Sequence, residues 1–442
     1  MKRRTLLASA AALAATSTTG RSAEKTKIIW WHAMTAALGD AVNRIVDAFN
    51  QSQDEVELNA IYKGQYPEVL TATIAAFRAG QAPHLTQIFE VGTGSMLAAG
   101  KATKQVWKLS KETGVAIDPQ AYIPAVRGYY SLSDGRMASM PFNSSTAVMW
   151  YSKDAFRKAG LDPDKPPATW QEVVKAAEAI KRKDAAPVPM TSAWLTWIQL
   201  EQYSALHNLP FASKADGFDG LDAQLEINSR AHVKHMQRLL DMAKDGAFKY
   251  TGRDNAPSQV VISGDAAIGF DSSAARGNMV RSAKYDWGMA FLPYDPEIIQ
   301  TPLNSIIGGA SVWAMTAPGR SEAEYRAVAT FLKFLGRPEI DAQWSQATGY
   351  VPVTFAGFEL SKKQGYYDKN PGADLAVKQL ARGTVTDNSR GLRLGRLPEI
   401  RNIIYEEMEK AFQGGQTGQE AMDNAVARGN KVLREFEKSV KS

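Results

Sequence analysis

Between residues 27 and 89, apolar runs of strand length alternate with segments of helical periodicity, and this alternation restricts what the chain can build. KIIWWHA (27–33) is extended and apolar, and Leu38, Val42, Ile45, Val46 and Phe49 follow at the 3.6-residue spacing of a helix face. Val56–Tyr62 predicts the next strand, residues 67–78 a helix, and Leu85–Phe89 a third short strand. A β-α-β-α-β rhythm implies parallel strands with helices on the sheet faces. Ligands of such sheets sit beyond the carboxyl ends of the strands. Glu90 stands at that end of the third strand, and Val91-Gly92-Thr93-Gly94 reads as a tight turn into a helix.

The chain's 442 residues exceed one ordinary core and suit two domains. The stretch ASMPFNSSTAVMWYSKDAF (138–156) predicts where one gives way to the other: two apolar extended runs flank the small polar residues Asn143, Ser144 and Ser145. Such a polar knuckle suits a crossover with hydroxyls facing a gap. Residues 304–313, extended around Gly308-Gly309, predict a second crossover, and 348–353 a third linking stretch. Thr169 and Glu172 form a capping box for a helix reaching about Lys181, and Thr417 and Glu420 form another. Trp194 and Trp197 head a further helical segment, and 229–247 is helical. A buried strand ends in Asp271-Ser272-Ser273. Pro398 suits the first turn of a helix that Gly414-Gly415 ends.

Hydrophobic content of 44% with 22% charged residues is that of a globular protein. The first 23 residues, with three basic residues, an apolar segment and small residues ending at Ala23, predict a secretory signal peptide. Arg3-Arg4 matches a twin-arginine signal in part. Cleavage removes Lys2, Arg3, Arg4 and Arg21 and no acid, so the formal charge falls from +6 to +2. The basicity is therefore largely the leader's. No basic stripe with interleaved aromatics remains for nucleic acid, and no later apolar run has the length of a membrane helix. The absence of cysteine excludes thiolate nucleophiles, thiolate metal sites and iron–sulfur clusters.

No catalytic motif is found: neither a G-x-S-x-G elbow, nor a phosphate loop, nor an H-E-x-x-H pair, and no cofactor is implied. His232 and His235, three apart on one helix, have the spacing of metal ligands but lack a third and read as surface histidines. His84 and His207 look isolated, and His32, at a strand end, is a possible cleft residue. The loop Asp216–Asp222 lacks calcium-site spacing and reads as solvated.

What remains are polar and aromatic residues at strand ends, helix starts and crossovers. Glu90 is either a cleft group or an exposed carboxylate, Ser145 and Ser272 either ligand donors or turn formers, and Trp194 and Trp197 either cavity wall or core. Arg401, in the first turn of the Pro398 helix, opposes the helix dipole, which hints that an anion meets it there. Arginine's rigid fork suits phosphate.

The runs YKGQY (62–66), EVGTGSM (90–96), PFNSST (141–146), KAGLDPDKPPATWQ (158–171), IIGGASVW (306–313), TGYVPVT (348–354) and GLRLGRLPEIR (391–401) resemble the periplasmic solute-binding proteins of ABC importers, family 1, maltose-binding-protein-like. The likeness is strongest to the branch that binds glycerol phosphates, and it extends from Ile28 to Ser442. It implies the α/β type II periplasmic-binding-protein fold: two lobes, each with a central mostly parallel sheet flanked by helices, joined by three hinge crossovers. The expected lobes are 24–143 with 308–348, and 144–307 with 349–442. Residue by residue, the resemblance carries ligand binding to Tyr66, Glu90, Ser145, Ser272, Gly309, Tyr350 and Arg401, with Trp194 and Trp197 as walls.

The implied protein is a monomer, not an enzyme. It captures sn-glycerol 3-phosphate or glycerophosphodiesters such as glycerophosphocholine by lobe closure, and delivers them to a membrane permease and its ATPase. A sugar-binding protein of the same fold, with Arg401 structural, is the alternative. A periplasmic phosphodiesterase with Glu90 as base is a further one and needs a metal or a nucleophile–base pair not found in the sequence. Asp271, Arg276 and Arg396 are charges near the expected pocket with no assigned place.

Overall fold

The computed structural model describes residues 24–441, and the predicted leader lies outside them. The alternating N-terminal pattern forms as expected: β1 (Thr26–His32), β2 (Val56–Tyr62) and β3 (Leu85–Phe89), with β1 parallel to both others. The helices between them, Ala36–Gln51 and Tyr66–Arg78, each return the chain for parallel pairing. β4 (Thr103–Lys104) and β5 (Met140–Ser145) complete the segment.

At Thr146 the chain changes sheets. β6 (Ala147–Ser152) belongs to a second sheet with β7 (Val188–Ser192), β8 (Ala266–Ser272) and β9 (Trp287–Ala290), in the order β7-β8-β6-β9. β10 (Gly308–Met315) then returns to the first sheet, where it lies antiparallel to β3, β4 and β5. The first sheet is therefore ordered β2-β1-β3-β10-β4 with β5 also on β10. Both sheets are mixed rather than mostly parallel, because strands arriving from the other sheet enter antiparallel. Only β7–β8 is parallel in the second.

Each sheet anchors a core. Ile28, Trp30, Leu85, Val312, Phe331 and Leu332 are buried around the first. Met149, Trp170, Met190, Ile268, Phe270 and Met408 are buried around the second. The third linking stretch is pinned rather than loose. The Val351 N–H donates to the Ser144 carbonyl (2.8 Å). The buried Asp341 carboxylate accepts from Val353 N (3.0 Å), Thr354 N (2.9 Å) and Thr354 Oγ1 (2.6 Å). Both predicted capping boxes form, at Thr169/Glu172 and at Thr417/Glu420.

The histidines differ from expectation. His232 and His235 are fully buried, not surface groups. The helix Arg230–Asp245 turns both onto the segment 199–204. His232 bonds Ser204 Oγ (2.8 Å) and Ser229 Oγ (2.7 Å), while His235 stacks on Tyr203 at 4.1 Å and bonds Gln199. His84 is paired with Glu324 (2.9 Å), and His207 accepts from Asp295 N (2.7 Å). His32 accepts from Met34 N and does not line the cavity described below. The Asp216–Asp222 loop is also not simply solvated. Asp216 is buried, and one of its oxygens accepts from Phe211 N (2.9 Å) and Ala212 N (2.8 Å).

Burial lowers His232 from 6.5 to about 4. In the range between those values the unfolded chain binds the proton and the fold excludes it. This contribution to stability is complete above about pH 6.5 and is lost as pH falls towards 4, a swing of about 3 kcal/mol. Denaturant midpoints measured from pH 7.5 to 4.5 should fall, and should fall less steeply in His232→Gln.

Candidate functional site

A cavity of about 190 Å³ lies where the carboxyl end of β3, the β5–β6 step, the start of β10 and the C-terminal region meet. All nine residues singled out from sequence line it: Tyr66, Glu90, Ser145, Trp194, Trp197, Ser272, Gly309, Tyr350 and Arg401. Its remaining wall includes a polar group that sequence reasoning missed, Asn255, Ser258, Gln259 and Asn278. These come from the segment around the short helix Ser258–Ile262 and from the helix Arg276–Ser282, where single amides carry no motif.

Gly308 and Gly309 open β10 and explain how backbone reaches the cavity. Gly309 has φ +106°, and a Cβ there would stand 2.0 Å from the Asn143 carbonyl oxygen. At Gly308 a Cβ would meet Trp197 Cζ2 at 2.5 Å, so the missing side chain is what lets the indole lie against the strand. The Gly309 N–H donates to Glu90 Oε2 (3.2 Å). Ser145 ends β5 opposite Gly308. Ser272 ends β8, and its hydroxyl accepts from Ala274 N (3.1 Å), so it both caps the next turn and faces the cavity.

A hydrogen-bonded chain sets the tyrosines. Gln87 donates to Asn143 Oδ1 (2.8 Å), and Asn143 donates to Tyr66 Oη (2.7 Å). The Tyr66 ring stacks on Phe89 at 5.4 Å, and its hydroxyl bonds that of Tyr350. Burial holds both phenols above their usual range, so they are neutral donors and acceptors at any physiological pH.

The two tryptophans follow an unexpected backbone. The predicted helical segment forms, but Trp194 before it is left-handed (φ 46°), and residues Trp197–Gln202 wind as a π-turn that leads into the helix Tyr203–Leu206. The irregular turn places Trp197 on the cavity and Glu201 behind it. Glu201 was not singled out from sequence, where it is one acid among 46.

Arg401 does meet an anion, but the anions are the protein's own. Its Nε and Nη2 donate to Glu201 Oε1 (2.7 Å) and Oε2 (2.8 Å), and Nη2 also donates to Glu90 Oε1 (3.0 Å). All three side chains are nearly buried. Glu90 is thus not an exposed carboxylate. Burial raises its pKa, Arg401 opposes that rise, and Glu201 reinforces it.

Of the three unplaced charges, Asp271 lines the cavity. It accepts from Ser272 N (2.6 Å), and burial pushes it up to about 6 against hydrogen bonds from Ser258 and Ser272. Arg276 turns to Tyr366 and Asn370, and Arg396 pairs with Glu399 and Glu435, so neither lines the cavity.

Two sheets with a cavity built at their crossovers define a solute-binding architecture, and the comparisons agree. A family model of bacterial extracellular solute-binding proteins matches residues 44–371, and the chain belongs to this family. It is 46% identical over 425 residues to the sn-glycerol-3-phosphate-binding periplasmic protein UgpB of Salmonella typhimurium, with 96% of each chain covered. Among solved structures it resembles UgpB from Mycobacterium tuberculosis in complex with glycerophosphocholine, with TM-score 0.79 and 22% identity over 93% of this chain and 99% of that one. It also resembles the cyclic alpha-maltosyl-1,6-maltose binding protein from Arthrobacter globiformis, with TM-score 0.74 and 21% identity over 93% and 100% of the two chains. At these identities the structural likeness is one of fold.

Gly309→Ala forces a side chain into left-handed backbone and into a carbonyl, and should lower unfolding stability by at least about 2 kcal/mol. Ser145→Ala, on the same cavity, should change it by less than about 0.5 kcal/mol. Urea denaturation of both variants checks the contrast.

Proposed function

We propose that the chain is the periplasmic solute-binding component of an ABC importer. It captures sn-glycerol 3-phosphate or glycerophosphodiesters such as glycerophosphocholine and delivers them to the permease and its ATPase. The observation that carries this reading is the company Arg401 keeps in one cavity: the Ser145 and Ser272 hydroxyls, the Gly309 amide and the Tyr66 and Tyr350 phenols. A guanidinium with Nη1 left unclaimed by Glu201 and Glu90, and with hydroxyl donors on the same cavity, is the chemistry that holds a phosphate ester. Trp194 and Trp197 supply an apolar face for the ligand's carbon skeleton or an aromatic wall for a quaternary ammonium.

In this reading the lobes are residues 24–143 with 308–348 and 144–307 with 349–442, and ligand binding biases an open–closed equilibrium towards closure. The leader directs export and is removed, and the mature protein acts as a monomer. In this reading it is not an enzyme: Glu90, the base that the hydrolase alternative names, is committed to Arg401 and to the Gly309 amide.

Calorimetry with glycerol 3-phosphate, glycerophosphocholine and maltose tests this directly. Wild type should bind at least one glycerol phosphate and not maltose, and Arg401→Ala should weaken that binding by at least about 100-fold, in line with loss of a charge-assisted pair. Maltose binding in place of glycerol phosphate binding would return the chain to the sugar-binding reading, and full affinity in Arg401→Ala would overturn the role given to Arg401. Choline release during long incubation with the diester would revive the hydrolase.

A further inference from the structure

Among the residues lining the cavity, Arg401 is the single cation; two carboxylates line it as well, Glu90, which is bonded to Arg401, and Asp271. Behind it stands a third, Glu201, which is 2% exposed. A fourth, Asp254, lies near enough for its carboxyl to respond to the charge of Arg401. Tyr129 and Tyr405 also face Arg401 and are uncharged, both phenols being raised by burial. Of the other cations nearby, Arg253, whose charge reaches Asp254, is taken up by Glu409 through Nε (2.7 Å) and Nη2 (2.5 Å), and Arg393, whose charge reaches Tyr129, donates to the Tyr129 and Ser131 carbonyls. A cavity so balanced is poorly matched to a phosphate dianion.

The hydrogen bonds show which part of Arg401 is left to a ligand. Glu201 grips the side of the guanidinium formed by Nε and Nη2. A planar fork held along one edge has its other edge fixed in direction. On that other edge one Nη2 hydrogen goes to Glu90, and Nη1 donates to no group among the described residues. The π-turn that presents Glu201 is itself held on either side. Gln199 donates to Ser192 Oγ (3.0 Å), and Gln202 bonds both the carbonyl and the amide of Ile306 (2.9 and 3.1 Å).

We propose that Glu201 is the positioning residue of the site: it aims the open edge of Arg401 into the cavity and, by neutralising that cation, restricts the ligand to a monoanionic phosphate. That is the charge of a phosphodiester, so a phosphomonoester enters carrying one proton. The inference rests on the glycerol-phosphate reading above and specifies the ionic form that the site takes. Burial raises Glu90 first, and the neighbouring Glu201 charge adds to that rise.

A phosphomonoester loses its second proton near pH 6, whereas a diester has no ionisation in that range. At pH 7.5, calorimetry in two phosphate-free buffers of unequal ionisation enthalpy counts the protons taken up on binding. Glu90 and Asp271 are common to both ligands, so the difference between ligands isolates the phosphate. Wild type should take up about one proton more with glycerol 3-phosphate than with glycerophosphocholine. Glu201→Gln should raise the monoester-to-diester affinity ratio by about tenfold or more and abolish the extra proton. Glu201→Asp, which keeps the charge but withdraws it, should weaken both ligands with the ratio preserved.

Equal proton uptake for the two ligands in wild type overturns the proposal, as does Glu201→Gln weakening both by the same factor, the result a merely structural carboxylate gives. Should Glu201→Gln fail to fold, the wild-type proton count decides alone. Wild type binding neither ligand would instead overturn the glycerol-phosphate reading itself.

Discussion

The buried ion pair network Glu201–Arg401–Glu90 joins three parts of the chain that lie far apart in sequence. Glu90 closes the last parallel strand of the first sheet, Glu201 sits in the π-turn after β7 of the second, and Arg401 comes from the helix Leu397–Phe412 near the end of the chain. Taking three charges out of water costs several kcal/mol for each, and only near-complete hydrogen bonding recovers it. Here Arg401 accounts for all four bonds but one, and the Gly309 amide supplies the last. The arrangement therefore demands a specific backbone at each corner: the sharp turn after β3, the π-turn, and a glycine at 309.

Around that network the three chain crossings converge. Thr146 Oγ1 lies between the Ser305 hydroxyl (2.7 Å) and the Ile306 carbonyl (2.9 Å), tying the first crossing to the second. The Ser144 carbonyl accepts from Val351 N, tying the first to the third. Ser145, Gly309 and Tyr350 thus belong to the three crossings and line one cavity together. A ligand held by these groups would contact every connection between the sheets at once. That is the physical requirement for binding energy to bias the relative position of two lobes.

Much of this was legible in sequence because it rests on local rules. The β-α-β-α-β alternation, the capping boxes and the polar step at 143–146 depend on nearest neighbours and formed where expected. Tyr66, Gly309 and Tyr350 were legible only through resemblance to a family, and the resemblance decided between the open readings of Glu90, Ser145, Ser272 and the tryptophans, since a serine in a turn carries no ligand signal by itself. What failed depended on contacts distant in sequence. His232 and His235 looked like surface groups because burial of a helix's polar face depends on what packs against it, here the π-turn. Asp216 looked solvated because its partners are backbone amides, which leave no trace in composition. Glu201 was invisible for a related reason: its role exists only once Arg401, 200 positions away in the chain, arrives beside it.

The misfit of Arg401 with its helix dipole pointed to an anion, and the anions that the fold itself supplies are Glu201 and Glu90. A cation in a first turn is disfavoured by a few tenths of a kcal/mol to about 1 kcal/mol, and the protein compensates with carboxylates rather than leaving the charge for a ligand alone. A phosphate ester has a use for a cation at the cavity. Yet a bare guanidinium facing water would attract any anion and, unpaired, would destabilise the fold around it. Supplying Glu201 and Glu90 removes both problems, and leaves an arginine whose direction is fixed but whose charge is largely spent. On the proposed reading, the neutral donors and the tryptophans would then add recognition of the ester's shape to the restriction on its charge.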